Sequence, residues 1–136
     1  MKKLLCVLFL LVSALGCAPR GWGQAQITTA TVQGDVRDEG GGSVAGAQVE
    51  ARNLDTNLVR TETTDSDGHF AFLSVQPGRY ELKITQQGFA TVIQQNVNLT
   101  VGSVLTIPVT MKVSSVSQQI VVSEVPVVEV TKTENS

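Results

Sequence analysis

The sequence predicts an all-β protein, a seven-stranded antiparallel β-sandwich preceded by an export signal. Three observations lead to this prediction. From Ala30 onward, β-branched residues alternate with polar ones, which is the pattern of strands that bury one face. Turn-forming residues recur about every 8 to 12 positions, as in sandwiches built from short strands. Nothing between the predicted strands could form the crossover helix that a parallel α/β sheet needs.

Residues 1–25 are predicted to be a cleaved signal peptide. Lys2 and Lys3 precede an almost unbroken apolar run from Leu4 to Leu15. A run of about 12 residues is typical of a secretory signal and is shorter than the roughly 20 residues of a transmembrane helix. We therefore expect an exported protein with no transmembrane segment in the mature chain.

Two processing sites remain open. Gly23 and Ala25 put small residues at positions −3 and −1 before Gln26, as signal peptidase requires. Residues 14–17, Ala-Leu-Gly-Cys, look like a lipoprotein box in which Cys17 would be acylated. We favour cleavage between Ala25 and Gln26, because the box has its first two residues in the reverse of the usual order.

Composition limits the classes of function. Both cysteines, Cys6 and Cys17, precede Gln26, so the domain itself contains no disulfide and its core must stabilise it. Removal of residues 1–25 leaves seven cationic residues against twelve acidic ones, a net charge of −5. A chain of this charge is poorly suited to neutralise phosphates, so nucleic-acid binding is not expected.

The first three strands are predicted from small and β-branched residues at every second position. The residues that define them are Val32, Gly34 and Val36, then Ala47, Val49 and Ala51, then Val59, Thr61 and Thr63. Turn-forming segments follow each strand in the order Gly40-Gly41-Gly42-Ser43, Asp55-Thr56-Asn57 and Asp65-Ser66-Asp67-Gly68.

Four further strands follow the same rule. The residues that define them are Phe70 and Phe72, then Tyr80, Leu82 and Ile84, then Val97 and Leu99, then Leu105, Ile107, Val109 and Met111. Pro108 has no N–H to donate to a ladder, so the seventh strand should lie at a sheet edge or carry a bulge at Pro108.

Several residues of unusual type are predicted to shape turns: Gly46, Asp65, Asp67, Gly68, Pro77, Gly78 and Tyr80. Asp65 and Asp67 can accept hydrogen bonds from their own turn, and Gly68 can adopt a positive φ. The pair Pro77-Gly78 suits the central positions of a type II turn. Tyr80 can bury its ring while its hydroxyl bonds a nearby carbonyl. These are roles in folding and not in chemistry.

Five motifs occur in order along the chain: Gly34–Asp38, Val44–Val49, Thr64–Phe72, Pro77–Leu82 and Gly88-Phe89. Together they resemble the carboxypeptidase regulatory-like domain, a transthyretin-like sandwich often grouped with carbohydrate-binding-like folds. The resemblance runs from about Ala30 to Lys112, and we assign residues 26–113 to this domain.

No catalytic or metal site is expected. With Gly68 at position 6 of an EF-hand loop, positions 1 and 12 would be Thr63 and Ser74, where calcium needs carboxylates. A zinc peptidase needs a His-x-x-Glu pair and another His, but His69 is the single histidine and Phe72 stands three residues on. We predict no enzyme, no metal and no cofactor.

Residues 114–136 are predicted to be a β-prone tail with two valine-rich segments, residues 118–124 and residues 125–131. A leader, this domain and such segments resemble the N-terminal extension of Oar-like TonB-dependent outer-membrane receptors, in which a plug and a barrel follow. There, a short extended segment pairs with the energy transducer by strand addition. The nearest match comprises Gln119, Ile120, Val121, Val122 and Ser123. An eighth strand or a frayed tail is the equally weighted alternative.

The resemblance implies a non-catalytic module in the periplasm or at the cell outer membrane of a Gram-negative bacterium. We expect the chain to be the front part of a larger receptor. Its expected partners are proteins, either a TonB-type energy transducer or the receptor barrel. A free-standing carbohydrate-binding module is the alternative.

We expect the exported protein to begin at Gln26, because small residues at −3 and −1 precede it. Mass spectrometry of the mature N-terminus measures this directly. An acylated Cys17 as the first residue would contradict the prediction.

Overall fold

The computed structural model describes residues 23, 25–114 and 119–124, which form two stacked β-sheets. The strands are β1 (Ala30–Asp38), β2 (Gln48–Asn53), β3 (Val59–Thr63), β4 (His69–Val75), β5 (Gly78–Thr85), β6 (Thr91–Leu99), β7 (Val104–Met111) and β8 (Gln119–Val122). One sheet has the order β4-β1-β7 and the other the order β3-β2-β5-β6-β8. The predicted all-β sandwich is confirmed.

Strand pairing is mixed, whereas the sequence predicted antiparallel strands only. The pairs β1·β7 and β6·β8 are parallel, and the remaining pairs are antiparallel. A sandwich needs no crossover helix for a parallel pair, because the chain returns through strands of the opposite sheet. Strand β8 adds an eighth strand to the seven predicted ones, and the sequence indicated a strand in this place only as one alternative.

Several sequence predictions fall largely outside the described residues. The signal peptide is described only at residues 23 and 25, and the second valine-rich segment, residues 125–131, not at all. Ala25 and Gln26 are exposed and precede β1. Within the described ranges, no helix is long and apolar enough to cross a membrane.

Alternate residues of the strands fill the space between the two sheets. The largest fully buried side chains are Phe72, Leu82, Ile84, Ile107, Met111, Val32, Val36, Val49 and Val97. The edge strand β3 departs from the pattern, because Val59 and Thr63 face solvent. The core therefore comes mainly from β1, β4, β5, β6 and β7, with β2 adding smaller side chains.

Gly34 lets β1 pack closely between its two neighbours. A Cβ atom at this position would lie 2.1 Å from the carbonyl oxygen of Ile107 and 2.7 Å from the ring of Phe70. Real Cβ atoms do not approach a backbone oxygen so closely, so only glycine fits here. The ring of Phe70 fills the space that a side chain at position 34 would occupy. Pro108 lies in β7 at the edge of this sheet, in register with Asp35.

Thr64 connects two loops at one end of the sandwich. Its Oγ1 donates to the carbonyl of Val44 at 2.7 Å and accepts from the N–H of Ala47 at 2.8 Å. Its own N–H donates to the carbonyl of Ala47 at 2.9 Å. Thr64 is only 5% exposed, so these bonds replace water that the buried groups have lost.

Thr64→Val should destabilise the domain by about 2 kcal/mol or more, because it preserves shape but leaves a buried carbonyl and a buried N–H without a partner. Urea unfolding measures this as a lower midpoint at an unchanged m-value. The matched control is Thr63→Val at an exposed position of β3, with an expected change within about 0.5 kcal/mol. Equal effects of the two substitutions would contradict the role of Thr64.

Candidate functional site

The acidic turn before β4 is organised by hydrogen bonds to its own backbone. Oδ1 of Asp65 accepts from the N–H groups of Asp67 and His69, both at 2.9 Å. These bonds, chiefly the one from His69, hold the pKa of the Asp65 carboxyl below its usual value. Its stabilising contribution is therefore present at neutral pH and is lost as the pH falls through the lowered pKa. Gly68 has φ +80°, and an added Cβ would lie 2.4 Å from the carbonyl oxygen of Val36.

The other predicted turn residues lie at strand entrances. Gly46 has φ +73°, and its N–H donates to the carbonyl of Thr64 at 3.0 Å. The ring of Tyr80 is buried, and its hydroxyl donates to the carbonyl of Gln76 at 2.8 Å. Gly78 has φ +149°, which is not the value near +80° of the expected type II turn. Gly78 already pairs with Leu99 of β6 as the first residue of β5, and its φ still lies in the range that favours glycine.

His69 faces the carboxylate of Asp35 across the β1·β4 pair, an arrangement the strand register makes but the sequence analysis missed. The pair borders a shallow depression of about 240 Å³ on the outer face of the three-stranded sheet, together with Gln33 and Thr106. The Gln33 amide donates to the Thr106 hydroxyl at 3.3 Å. The side chain of His69 is 55% exposed, so the pair joins two strands at the surface.

In the part of the chain that the structure describes, the side chains form neither a metal-binding cluster nor an aromatic platform for a sugar. No group of three or more His, Cys, Asp or Glu side chains there could hold a metal ion. The aromatic side chains in the same ranges are Phe70, Phe72 and Tyr80, which are buried, and Phe89, which is half-buried against the core. None of these four rings forms an exposed platform of the kind that stacks on a sugar.

The predicted partner-binding segment forms strand β8 and the serine after it. Gln119 to Val122 pair in parallel with Thr91 to Gln94 of β6, at the end of the five-stranded sheet. Ile120 and Val122 are half-buried, and Val122 packs against the core. Val121 lies on the outer face and is 50% exposed. The segment is thus an edge strand attached by a narrow apolar contact.

Two amide side chains of β6 hold the end of this segment, and we call Gln94 and Asn96 the amide clamp. Nε2 of Gln94 donates to the carbonyls of Val122 at 3.4 Å and Glu124 at 3.1 Å. Nδ2 of Asn96 donates to the carbonyl of Ser123 at 2.7 Å. All three acceptors are backbone atoms. The clamp therefore recognises an extended backbone and not particular side chains.

A β-bulge in β6 positions the clamp. Tyr80 pairs with Val97 and Leu82 pairs with Gln94, so one residue of β5 opposes two residues of β6. Asn96, in this bulge, has φ +59°, a left-handed conformation that asparagine tolerates better than most residues. The ladder between β6 and β8 ends at Gln94, where side-chain bonds take over. The sequence does not point to the clamp, because alternation counted back from Val97 and Leu99 puts Gln94 on the outer face, and only the bulge turns it inward.

Residues 31–112 match the family model of the carboxypeptidase regulatory-like domain. No curated protein sequence matches the chain.

Solved structures share the fold at low identity. A protein from Bacteroides uniformis ATCC 8492, for which carbohydrate binding is proposed, aligns at 16% identity and a TM-score of 0.52, over 61% of this chain and 41% of its own. A streptococcal ancillary pilin aligns at 17% identity and a TM-score of 0.52, over 65% of this chain and 34% of its own. The dioxygenase domain of a fusion of a dioxygenase with a carbohydrate-binding protein, from Streptomyces sp. SirexAA-E, aligns at 14% identity and a TM-score of 0.53. The alignment covers 68% of this chain and 84% of that domain's chain.

The chain therefore spans less than half the length of the first two structures, and these likenesses concern the fold alone. The family match is different in kind, because it covers more than half of this chain and coincides with the sandwich from β1 to β7. The chain belongs to the carboxypeptidase regulatory-like domain family.

Proposed function

We propose that this chain is a non-catalytic, exported module that mediates protein–protein contact as the N-terminal periplasmic domain of a TonB-dependent outer-membrane receptor. Family membership supports a domain without a reaction of its own. The leader-like residues 1–25 support export. The partner is an energy transducer of the TonB type or the receptor's own barrel.

One observation carries this proposal: the segment Gln119–Ser123, which resembles the transducer-binding segment of such receptors, lies extended at a sheet edge. Proteins that bind by strand addition require an extended backbone with one side unpaired. A segment that is already a strand loses less conformational entropy on binding than a disordered one.

The broad outer face of the five-stranded sheet is less suited to such a contact. Arg52 pairs with Glu81 at 3.0 Å, and Lys83 lies 3.7 Å from Glu50. Both pairs join residues directly opposite each other on β2 and β5. A face covered with ion pairs is typical of a solvated surface, which leaves the strand edges as the better contact regions.

Replacement of residues 120–122 by Gly-Ser-Gly should abolish binding to the periplasmic domain of the TonB-type transducer from the same bacterium, because the segment loses its strand propensity. Isothermal titration calorimetry measures the affinity. The control replaces the exposed Val101, which precedes β7, and Val104, the exposed first residue of β7, by serine, and should bind like the unaltered chain. Undiminished binding by the Gly-Ser-Gly variant would refute a role for this segment.

Carbohydrate binding is the second candidate, favoured by the fold shared with the Bacteroides uniformis protein. The burial of Phe70, Phe72 and Tyr80 weighs against it, because stacking on a sugar requires an exposed ring. Retention of the chain on a glycan array, lost when an exposed polar residue of the Asp35–His69 depression is changed, would support this candidate over protein contact.

A further inference from the structure

A crevice of about 220 Å³ opens where the edge strand β3 of the larger sheet faces the edge strand β4 of the smaller one. Residues of both sheets line it, among them Asn53, Thr56, Leu58, Arg60, Ser74 and Tyr80. In the described part of the chain, no acidic residue lines it. Strand β8 lies at the opposite edge of the larger sheet, so the crevice is separate from the segment Gln119–Ser123.

Arg60 supplies a positive charge to this crevice. Its Nη1 donates to the carbonyl of Leu73 in β4 at 2.8 Å, and its guanidinium carbon lies 5.8 Å from the centre of the Phe72 ring. These contacts orient the guanidinium, while its Nε and Nη2 donate to no acceptor within the described ranges. An oriented guanidinium with unused donors matches the planar geometry of a carboxylate.

Neither Asp55 nor Glu62, the acidic residues on either side of Arg60 in the chain, neutralises its charge. Asp55 pairs with Arg79 at 2.7 Å, and the hydrogen bond from Arg79 holds the pKa of the Asp55 carboxyl below its usual value. Glu62 lies two residues on along the same face of β3, but it forms no ion pair with Arg60. Among the described residues, Arg60 thus keeps an uncompensated positive charge, which favours an anionic ligand.

The crevice also offers neutral hydrogen-bond donors. Asn53 is only 3% exposed, and its Oδ1 accepts from the N–H groups of Asp55 at 2.8 Å and Thr56 at 3.0 Å. These bonds use the amide oxygen, and the NH₂ group donates to no acceptor among the described residues. The Thr56 hydroxyl accepts from the N–H of Leu58 at 3.4 Å, so its own hydrogen is left to be donated. A carboxylate could accept from all of these groups.

Ser74 brings a second hydroxyl to the crevice from a strained backbone. Its φ is +54°, in the left-handed region that favours glycine. Strain of this kind is concentrated at binding sites, where the surrounding structure maintains it. Here Nη1 of Arg60 donates to the carbonyl of Leu73 and, at 3.5 Å, to that of Ser74. A serine at a position that suits glycine indicates that its hydroxyl has a use.

The rim of the crevice is apolar and exposed. Leu58, which lines the crevice, is 61% exposed, and Leu73, whose carbonyl orients Arg60, is 62% exposed. An arginine among apolar side chains is typical of the core of a protein–protein contact. A small free acid would leave both leucines in water, whereas a protein partner would cover them.

We propose that the crevice between β3 and β4 binds an acidic side chain of a protein partner. The carboxylate accepts hydrogen bonds from the unused donors of Arg60 and from Asn53, Thr56 and Ser74. Apolar neighbours of that acidic residue then cover the leucines at the rim. The inference goes beyond the proposed function and does not depend on it, because it concerns the opposite edge of the larger sheet.

The capped peptide acetyl-Leu-Glu-Leu-amide is the probe, since its side chain carries its only carboxylate. In NMR titrations of the unaltered chain it should shift the amides of residues 53–60 and 74–76. The neutral control peptide acetyl-Leu-Gln-Leu-amide should bind at least about tenfold more weakly, because it lacks the charged acceptor. Equal affinities of the two peptides would overturn the proposal.

Arg60→Gln removes the charge from the crevice, and Arg37→Gln is the matched control. Nη1 of Arg37 also donates to a backbone carbonyl, that of Gly41 at 3.2 Å, but Arg37 lies in β1 at the other end of the sandwich. Arg60→Gln should weaken binding of the glutamate peptide at least about tenfold, and Arg37→Gln by less than about twofold. Equal weakening would show an effect of net charge alone and would overturn the proposal.

Ser74→Gly separates binding from folding, because Arg60→Gln also removes the bond to the Leu73 carbonyl. The glycine adopts the positive φ without strain, so the midpoint of urea unfolding should stay the same or rise. The lost hydroxyl should nevertheless weaken binding of the glutamate peptide about threefold or more. If affinity falls only in a variant that is also less stable, the proposal is refuted.

Two further arms test the source of the carboxylate and the place of the site. Butyrate should bind at least about tenfold more weakly than the glutamate peptide, because it cannot cover Leu58 and Leu73. Equal affinities would indicate a site for free acids and would overturn the protein partner. The variant with Gly-Ser-Gly at residues 120–122 should bind the peptide like the unaltered chain, and a loss of binding there would overturn the crevice as the site.

Discussion

The apolar layer between the two sheets is the interaction on which the rest of this structure depends. Side chains such as Phe72, Leu82 and Ile107 are completely buried there, and they come from every second position of their strands. Because the side-chain period of a strand is two, a register slip of one residue would turn each set towards water. The core therefore enforces the strand pairing, and with it the close contact of Phe70 with Gly34. The same architecture leaves two sheets that do not close on themselves, so strand edges are unavoidable.

Several residues whose types suggest a reactive or metal-binding site in the sequence make structural hydrogen bonds or ion pairs in the fold. Asp65 accepts hydrogen bonds from two N–H groups of its own turn, and Thr64 bonds a buried carbonyl and a buried N–H of the loop between β1 and β2. His69 pairs with Asp35 at the surface of the smaller sheet. A buried polar group of the backbone is costly to leave unbonded, which explains why polar side chains gather where strands enter and leave. The proposed contact then lies at an edge strand, where the paired ladder of the sheet ends.

The amide clamp links the fold to the proposed contact. Gln94 and Asn96 lie beside a bulge, and both donate to backbone carbonyls of the segment after β8. Backbone recognition places few demands on the side chains of the segment, so those chains can serve a partner. The sandwich is small and contains no disulfide, so these side-chain hydrogen bonds help to hold a strand that has little apolar contact. Because the strand is already ordered, a partner that binds it loses less free energy to conformational entropy.

The sequence by itself determined the fold class, the strand positions and the residues of most turns, since alternation and turn chemistry are local properties. It also restricted Pro108 to a sheet edge or a bulge, because a missing N–H is a property of the residue alone, and the structure places Pro108 in the edge strand β7. The parallel pairs and the Asp35–His69 pair were decided by tertiary structure, because each depends on strands distant in the chain. The same holds for β8: its valines indicate only a strand, whereas its place on β6 involves Gln94 and Asn96, which the sequence does not connect with it. Which strands pair, and in which register, depends on which face of each sheet is buried, and only the packing of the two sheets fixes that.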